Sequence, residues 1–272
     1  MRNFKHYDKI IIMKKNRKLF LFDIDGTLFD NKNNMVPVSA VTALKELSEV
    51  ADICIASGRA GFMLYSIEEI LPLVEYLVLS NGQYIVYEDK VIFDNPIPVS
   101  LLENISKELD EIGIPYGFQG SDDEGISKID ENVISCFEKL GLDLPKVNKE
   151  FYKSNNVYQA WCFCNEEISE MLKEKYPDLQ FIQWLSVGYD ILPKTAAKGL
   201  GMKKLVENLE MDLKDIIAFG DGDNDYEMIR DAGLGIAMGN ATEKVKSVAD
   251  YITKPVDEDG IYLALKHFGF IK

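Results

Sequence analysis

Short apolar runs alternate with helical patterns at both ends of the chain. Leu19–Phe22, Ile53–Ala56 and Ile216–Phe219 are continuous runs bounded by polar or turn residues, a pattern typical of parallel strands that are buried on both faces. Residues 37–49 place apolar side chains at helical spacing, and residues 60–70 predict a further helix. Strands that alternate with helices in this way predict a parallel sheet with right-handed crossovers.

The middle of the chain, from residue 84 to about residue 192, has a different pattern. Tyr84–Tyr87 and Val91–Phe93 flank a polar connection in the manner of a β-hairpin, and short strands and amphipathic helices follow. Such a mixture predicts an α+β unit with its own antiparallel sheet. After this segment the alternation of strands and helices resumes.

We therefore predict an α/β protein, with a Rossmann-like parallel-sheet core and an inserted α+β domain. The core is expected to comprise residues 16–83 and 193–272, and the inserted domain residues 84–192. Residues 1–15 are expected to form an N-terminal extension, in which Met13 is a second candidate for the physiological start.

Charge and composition narrow the choice of partners. With 30 basic against 45 acidic residues, the 272-residue chain has a net charge of −15, which argues against nucleic acid as a partner. No apolar stretch of the sequence is long enough to span a membrane. The four cysteines do not form the pattern of a disulfide framework, as expected for a protein of the reducing cytoplasm. We expect a monomer or small homo-oligomer that binds a small molecule.

Polar residues follow the ends of several predicted strands. Asp23-Ile24-Asp25-Gly26-Thr27 comes directly after the first apolar run, and Ser57-Gly58 comes after the second. Gly220–Asp225 follows the run that begins at Ile216, and Lys198 opens a helical pattern. Ligands bind in the crevice outside the carboxyl ends of the strands in open α/β sheets, so one crevice would collect these groups. Each cluster alone is also compatible with a turn or a helix cap, and therefore their order and placement carry the signal.

In this order, the motifs resemble those of haloacid dehalogenase superfamily phosphatases, of the Cof-like branch with a large cap inserted late in the chain. That family has Asp-x-Asp-x-Thr, a Ser or Thr, a Lys, and Gly-Asp-x-x-x-Asp. The matching residues are Asp23, Asp25, Thr27, Ser57, Lys198, Gly220, Asp221 and Asp225, with Asn224 fitting the Asn-Asp ending of this branch. The resemblance covers both flanks of the chain, whereas the middle shares only the presence of a domain-sized insertion.

The resemblance implies a mechanism of phosphoryl transfer. Asp23 would be the nucleophile that forms an aspartyl-phosphate, and Asp25 the general acid that protonates the leaving group and later activates water. Lys198 would bridge Asp23 and a phosphoryl oxygen. Arg59 fits a structural ion pair as well as a substrate contact. The phosphate-binding residues are expected to be Thr27, Ser57, Gly58, Asn81, Lys198 and Asn224.

The resemblance also implies Mg²⁺ as the cofactor. Three carboxylates and a phosphomonoester would repel one another without a cation, and Mg²⁺ suits carboxylate, carbonyl, phosphate and water oxygens. The implied ligands are Asp23, the backbone carbonyl of Asp25, Asp221 and Asp225.

The expected function is hydrolysis of a small phosphorylated metabolite of the sugar phosphate, pyridoxal phosphate or flavin mononucleotide class. Two alternatives remain open. A phosphosugar mutase of the same superfamily would share the motifs and would depend on a bisphosphorylated sugar. A non-catalytic signalling domain would hold a long-lived phospho-Asp without turnover, although the inserted domain and the Asp-x-Asp-Gly-Thr motif fit this alternative poorly.

Overall fold

The structure, a computed structural model, describes residues 17–88 and 90–272. The extension predicted at residues 1–15 lies outside the described residues. The chain divides into two compact units. The first contains the described residues up to Arg59, together with Met63–Asp94 and Ala197–Lys272, and the second contains Ala60–Phe62 and Asn95–Ala196.

Helices and strands follow one another along both units. In chain order the elements are β1 Leu19–Phe22, α1 Val38–Ser48, β2 Asp52–Ala56, β3 Tyr76–Leu79, β4 Tyr84–Tyr87, β5 Lys90–Asp94, α2 Val99–Glu111, β6 Tyr116–Gln119, β7 Glu124–Ile126, α3 Glu131–Leu140, β8 Gln159–Phe163, α4 Glu166–Lys175, β9 Leu179–Gln183, β10 Gly188–Pro193, α5 Lys198–Asn208, β11 Ile216–Gly220, α6 Tyr226–Asp231, β12 Leu234–Ala237, α7 Glu243–Lys246, β13 Tyr251–Ile252 and α8 Gly260–His267. Short 3₁₀ segments are Gly61–Ile67, Leu71–Leu73, Ser80–Gly82, Phe151–Lys153, Leu213–Asp215, Asp223–Asp225 and Val256–Glu258. Within the described ranges, none of the helices has both the length and the apolar character needed to cross a membrane.

The first unit is built on an eight-stranded sheet in the order β13-β12-β11-β1-β2-β3-β4-β5. The central strand β1 runs parallel to both of its neighbours, β11 and β2. Phe20 and Phe22 pack into the cluster that contains α1 and α8, whereas Leu19 and Leu21 pack into the cluster that contains α5 and α6. Both faces of this strand are therefore buried, which explains why its sequence is a continuous apolar run.

The hairpin of β4 and β5 belongs to this sheet, so the predicted boundary between residues 83 and 84 is wrong. β4 pairs antiparallel with β3, and the rings of Tyr76 and Tyr87 stack across the pair with centroids 4.9 Å apart. The chain reverses through Ser80, Asn81 and Gly82, which all have positive φ. The sequence pattern identifies a hairpin but not the sheet that it joins.

The second unit has its own five-stranded sheet in the order β7-β6-β8-β10-β9, with antiparallel pairing throughout. Leu102 of α2 and Leu172 of α4 pack in the core on one face, and Phe137 of α3 belongs to a smaller cluster with Phe163 of β8. The predicted class, an α/β core with an inserted α+β unit, is confirmed. Its limits differ from those predicted, because the unit extends over 95–196 rather than 84–192.

The helix predicted over residues 60–70 is instead a 3₁₀ segment, Gly61–Ile67. The segment ends at Ile67, and a separate short 3₁₀ segment, Leu71–Leu73, follows it. Arg59 Nη1 donates to the carbonyl oxygen of Met63 at 3.1 Å and to Ser66 Oγ at 2.7 Å. The side chain of Arg59, which follows Ser57-Gly58 at the end of β2, thus holds this 3₁₀ segment in place.

Candidate active site

Three carboxylates meet where β1 and β11 end. Asp23 follows β1 and Asp221 follows β11, and because these strands are adjacent and parallel, both residues lie at the same edge of the sheet. Asp225 comes from the turn that leads into α6. Carboxylate oxygens of the three residues lie within 4.8 Å of one another. The structure therefore brings together Asp23 of the first predicted motif and both acids of the last one.

Lys198 is the cation of this cluster. It begins α5 and is only 1% exposed. Its Nζ donates to Asp23 Oδ1 at 2.6 Å and to Asp225 Oδ1 at 2.7 Å. Burial lowers the pKa of the Lys198 ammonium, but Asp225 and Asp23 outweigh burial and hold that pKa above its ordinary value. The lysine is therefore charged at neutral pH and offsets part of the acidic cluster.

Asp23 is buried in the same surroundings. Burial raises the pKa of its carboxyl well above the ordinary value, and repulsion from Asp225 and Asp221 adds to the rise, while Lys198 opposes it. Its backbone N–H donates to the carbonyl oxygen of Phe219 at 3.1 Å, which ties the residue to β11. An ionised carboxylate in such a position is stabilised by any further cation that reaches it.

Asp225 organises the turn that follows β11. The residue is fully buried, and its Oδ2 accepts the backbone N–H groups of Asp221 at 2.9 Å and Gly222 at 3.0 Å. A side chain at Gly220 would crowd it, since a Cβ there would lie 2.6 Å from Asp225 Cβ. Both carboxylate oxygens of Asp225 are thus engaged, one by Lys198 and one by backbone amides. The residue sets the positions of Lys198 and Asp221 relative to each other.

Asp221 is held by donors from two other segments. Thr27 Oγ1 donates to Asp221 Oδ1 at 2.8 Å, and Asn240 Nδ2 donates to Asp221 Oδ2 at 3.2 Å. Burial raises the pKa of Asp221 to about 6, although the hydrogen bond from Thr27 lowers it. Gly26 has a φ of 80°, and a Cβ at that position would collide with the Asp221 carboxylate. The sharp turn predicted at Gly26 is confirmed, and its absence of a side chain makes room for Asp221.

Sequence reasoning missed Asn240. This residue follows β12, the neighbour of β11, and its Nδ2 also donates to the carbonyl oxygen of Gly26 at 2.8 Å. Its Oδ1 accepts the backbone N–H of Val256 at 3.0 Å, so the amide is fixed on both sides. The signal was present in the sequence, because a polar residue shortly after a predicted strand is the same feature that identified Asp23.

Asp25 lies outside the three-carboxylate cluster. β1 ends at Phe22, and the backbone then turns about Ile24, whose carbonyl oxygen accepts several N–H groups of the next residues. The Asp25 carboxylate forms a bidentate ion pair with Arg59, at 2.6 Å from Nη2 to Oδ1 and 2.9 Å from Nε to Oδ2. The Asp25 side chain is 43% exposed, so it lies at the rim. Arg59 is an ion-pair partner of the motif, one of the two roles that the sequence allowed.

The remaining predicted phosphate-binding residues connect the ends of β2 and β3 with the turn after β11. Asn81 donates its backbone N–H to the carbonyl oxygen of Ser57 at 3.0 Å, and Asn224 Nδ2 donates to Asn81 Oδ1 at 3.2 Å. Ser57 is buried, and its Oγ accepts the N–H of Arg59 at 3.2 Å. A Cβ at Gly58 would lie 3.2 Å from the Asn81 amide. Asn81 therefore links Ser57 to Asn224, which lies in the turn between Asp221 and Asp225.

The fold and the site together define an α/β protein with an acidic cluster and a buried lysine at the carboxyl ends of its central parallel strands. Residues 20–265 match the sequence profile of the haloacid dehalogenase-like hydrolases, and the chain belongs to this family. Over 257 residues it is 37% identical to YkrA of Bacillus subtilis (strain 168), which is provisionally named a phosphatase; the match covers 94% of this chain and 99% of that protein.

Solved structures show the same fold. A hypothetical protein from Geobacillus kaustophilus HTA426 is 37% identical with a TM-score of 0.89, over 94% of this chain and 100% of that chain. The subclass IIB sugar phosphatase BT4131 of the same superfamily is 31% identical with a TM-score of 0.82, over 93% of this chain and 100% of that chain. The predicted family and the predicted enzyme class, a phosphatase of the haloacid dehalogenase superfamily, are confirmed.

Proposed function

We propose that the protein is a Mg²⁺-dependent phosphatase that hydrolyses a small phosphorylated metabolite through an aspartyl-phosphate on Asp23. The observation that carries the proposal is the buried Lys198, which bridges Asp23 and Asp225 within a cluster of three carboxylates. A nucleophilic carboxylate needs a fixed cation beside it before it can approach a phosphate dianion.

In the first half of the reaction, Asp23 attacks the phosphorus atom. Lys198 holds Oδ1, so the nucleophile is Oδ2, and the bond between phosphorus and the leaving-group oxygen breaks as the new bond forms. The same ammonium can then stabilise charge on a phosphoryl oxygen. Burial alone would favour the protonated, unreactive form of Asp23, so the cations of the site keep it ionised.

Asp25 is assigned the proton transfers. It gives a proton to the departing alkoxide, and in the second half it takes a proton from the water that attacks the aspartyl-phosphate. Its exposed position at the rim suits contact with a leaving group. The bidentate pair with Arg59 favours the ionised carboxylate, so the pair must open and Asp25 must take up a proton from solvent before it acts as the acid.

The residues present fit a bound Mg²⁺. Asp23 and Asp221 offer buried carboxylate oxygens that Lys198, Thr27 and Asn240 hold in place, and hard oxygen donors are the ligands that Mg²⁺ prefers. When bound, the ion would neutralise charge on the phosphoryl group. We expect the backbone carbonyl of Asp25 to complete the protein ligands. Asp225 is assigned to positioning, because it is fully buried and accepts from the Lys198 ammonium and from two backbone N–H groups.

The substrate is placed in the class of sugar phosphates, pyridoxal phosphate or flavin mononucleotide, with the inserted unit acting as a cap that selects the leaving group. The sugar phosphatase at 31% identity supports the first of these. Thr27, Ser57, Gly58, Asn81 and Asn224 are assigned to the phosphate side of the site. The four cysteines are free and buried, which supports a reducing, cytoplasmic location.

Asp23→Asn tests the proposal. The change keeps the size of the side chain but removes the nucleophile, so kcat on a panel of phosphomonoesters should fall by at least about 10³-fold. Asp30→Asn is a matched control, because Asp30 is also a buried aspartate of this segment but hydrogen-bonds Lys32 and Asn33 instead of Lys198. Activity of Asp23→Asn above about one-tenth of the wild-type value would remove Asp23 from this role.

A further inference from the structure

A turn after β12 holds Asn240 beside the three-carboxylate cluster. At the start of this turn, the backbone N–H of Met238 donates to the carbonyl oxygen of Gly220 at 3.0 Å. At its end, the backbone N–H of Thr242 donates to the carbonyl oxygen of Asp221 at 3.0 Å. The backbone on both sides of Asn240 is therefore fixed relative to Asp221, the residue that the Asn240 side chain contacts.

Both the nitrogen and the oxygen of the Asn240 amide are engaged. Nδ2 donates to the carbonyl oxygen of Gly26 at 2.8 Å and to Asp221 Oδ2 at 3.2 Å. Oδ1 accepts the backbone N–H of Val256 at 3.0 Å. An ionised carboxylate has no donor and a hydroxyl has only one, so this set of partners requires a side-chain amide.

The two bonds from Nδ2 reach two segments that carry expected Mg²⁺ ligands. Asp221 offers a carboxylate, and Gly26 directly follows Asp25, whose backbone carbonyl is expected to be another ligand. One amide therefore fixes the first and the last motif relative to each other. Asn240 acts through these ligands and is in that sense a positioning residue.

The side-chain donors that hold Asp221 carry no charge. Lys198 donates to the other two carboxylates of the cluster. Asp221 instead accepts from the hydroxyl of Thr27 at 2.8 Å and from the amide of Asn240. A neutral donor orients a carboxylate without neutralising it, so the charge of Asp221 remains available to a cation.

Each carboxylate oxygen of Asp221 has a donor of its own. Thr27 Oγ1 holds Oδ1 and Asn240 Nδ2 holds Oδ2, so rotation of the carboxylate would break at least one hydrogen bond. Mg²⁺ demands near-ideal octahedral geometry with short bonds, whereas Ca²⁺ accepts more oxygens, longer bonds and bidentate carboxylates. A carboxylate in a fixed orientation therefore favours Mg²⁺, and one that can rotate accommodates Ca²⁺.

We propose that Asn240 is a positioning residue that makes the site select Mg²⁺ over Ca²⁺, because it holds Asp221 Oδ2 and the turn at Gly26. The inference rests on the proposed function, which assigns Asp221 to the metal. Loss of a group that orients a metal ligand typically costs about 10–100-fold in metal affinity. Asn240 is exposed, so water can replace part of its bonds, and we expect the lower value for Mg²⁺. For Ca²⁺, the added freedom of Asp221 should offset most of the loss.

Competition with Mn²⁺ measures the selectivity in the absence of substrate. Electron paramagnetic resonance follows free Mn²⁺ while Mg²⁺ or Ca²⁺ displaces it from the full-length protein, which gives a Kd for each ion. Asn240→Ala should raise the Kd for Mg²⁺ by at least about tenfold and the Kd for Ca²⁺ by less than about threefold. The matched control is Asn208→Ala, because Asn208 is also an exposed asparagine that donates to a backbone carbonyl, that of Lys204 at 2.8 Å. Both constants of the control should stay within about twofold of the wild-type values.

Asn240→Asp is the second variant and serves if the alanine variant fails to fold. Aspartate keeps the shape of the side chain and can still accept the N–H of Val256, but its ionised carboxylate cannot donate to Asp221. The ratio of the Kd for Ca²⁺ to the Kd for Mg²⁺ should again fall by at least about threefold. Equal changes for the two ions, or no change for either, would overturn the inference. A wild-type protein that binds Mg²⁺ and shows these shifts, but hydrolyses no phosphomonoester, would contradict the proposed function alone.

Discussion

Lys198→Met is the perturbation that tests the electrostatic design of the site most sharply. Methionine approximates the length of lysine, so the substitution removes the charge with little loss of volume. The wild-type ammonium makes hydrogen bonds of 2.6 Å to Asp23 and 2.7 Å to Asp225 in a setting where it is 1% exposed. After the change, buried carboxylates face one another without their cation.

The expected loss of stability follows from the burial of Lys198 and its two carboxylate partners. Removing one partner of a buried ion pair costs about 3–5 kcal/mol, and here one cation serves two carboxylates, so we expect a loss of unfolding free energy near the upper value. Loss of Lys198 also removes an influence that lowers the pKa of Asp23, which is already raised in the folded state. An acid whose folded-state pKa is raised loses stability as pH rises from its unfolded pKa through the folded one. The loss should therefore be larger at pH 8 than at pH 5.

Urea unfolding at both pH values, with and without Mg²⁺, measures the effect. Mg²⁺ should restore part of the stability, and kcat should fall by at least about 10³-fold. Lys203→Met is the control, because Lys203 lies on the same helix but is 47% exposed and pairs with Asp231, so its loss should stay below about 1 kcal/mol. The reasoning would be refuted if Lys198→Met lost no more unfolding free energy than Lys203→Met, or if its loss were the same at both pH values.

Two further predictions concern the metal and the inserted unit. EDTA should abolish hydrolysis and Mg²⁺ should restore it, whereas Ca²⁺, with longer bonds and more ligands, should support little turnover; full activity in chelator would contradict the proposed cofactor. Asp190→Asn should leave thermal stability nearly unchanged at pH 4 and raise it at pH 8, because the pKa of Asp190 is raised to about 7 and its ionisation destabilises the fold as pH rises from about 4 through 7. The gain in unfolding free energy is at most about 4 kcal/mol and is measured by calorimetry at both pH values. A gain that does not depend on pH would contradict this prediction.

The parts of the site that lie directly after buried strands could be predicted from the sequence. β1 and β11 are continuous apolar runs because both of their faces are covered, and Asp23 and Asp221 follow them without a gap. A parallel sheet then brings such residues to one edge, whatever their separation along the chain. The same reasoning located the Ser57 motif at the end of β2.

The remaining features of the fold and the site depend on which strands become neighbours in a sheet, and the sequence of a single strand does not show this. The sequence shows Asn240 shortly after a strand, but its contact with Asp221 depends on β12 being the neighbour of β11, and the order of strands is not written in a local pattern. The β4–β5 hairpin has the same alternation whichever sheet it joins.

Trapping of the intermediate tests the central claim most directly. Wild-type protein turning over ³²P-labelled acetyl phosphate with Mg²⁺ is quenched in acid, digested and mapped by mass spectrometry. We predict a label on the peptide that contains Asp23, released by hydroxylamine as an acyl phosphate should be, replaced at each turnover and absent from Asp23→Asn. Hydrolysis without a labelled Asp23, or a stoichiometric label on Asp23 that persists without release of phosphate, would contradict the account.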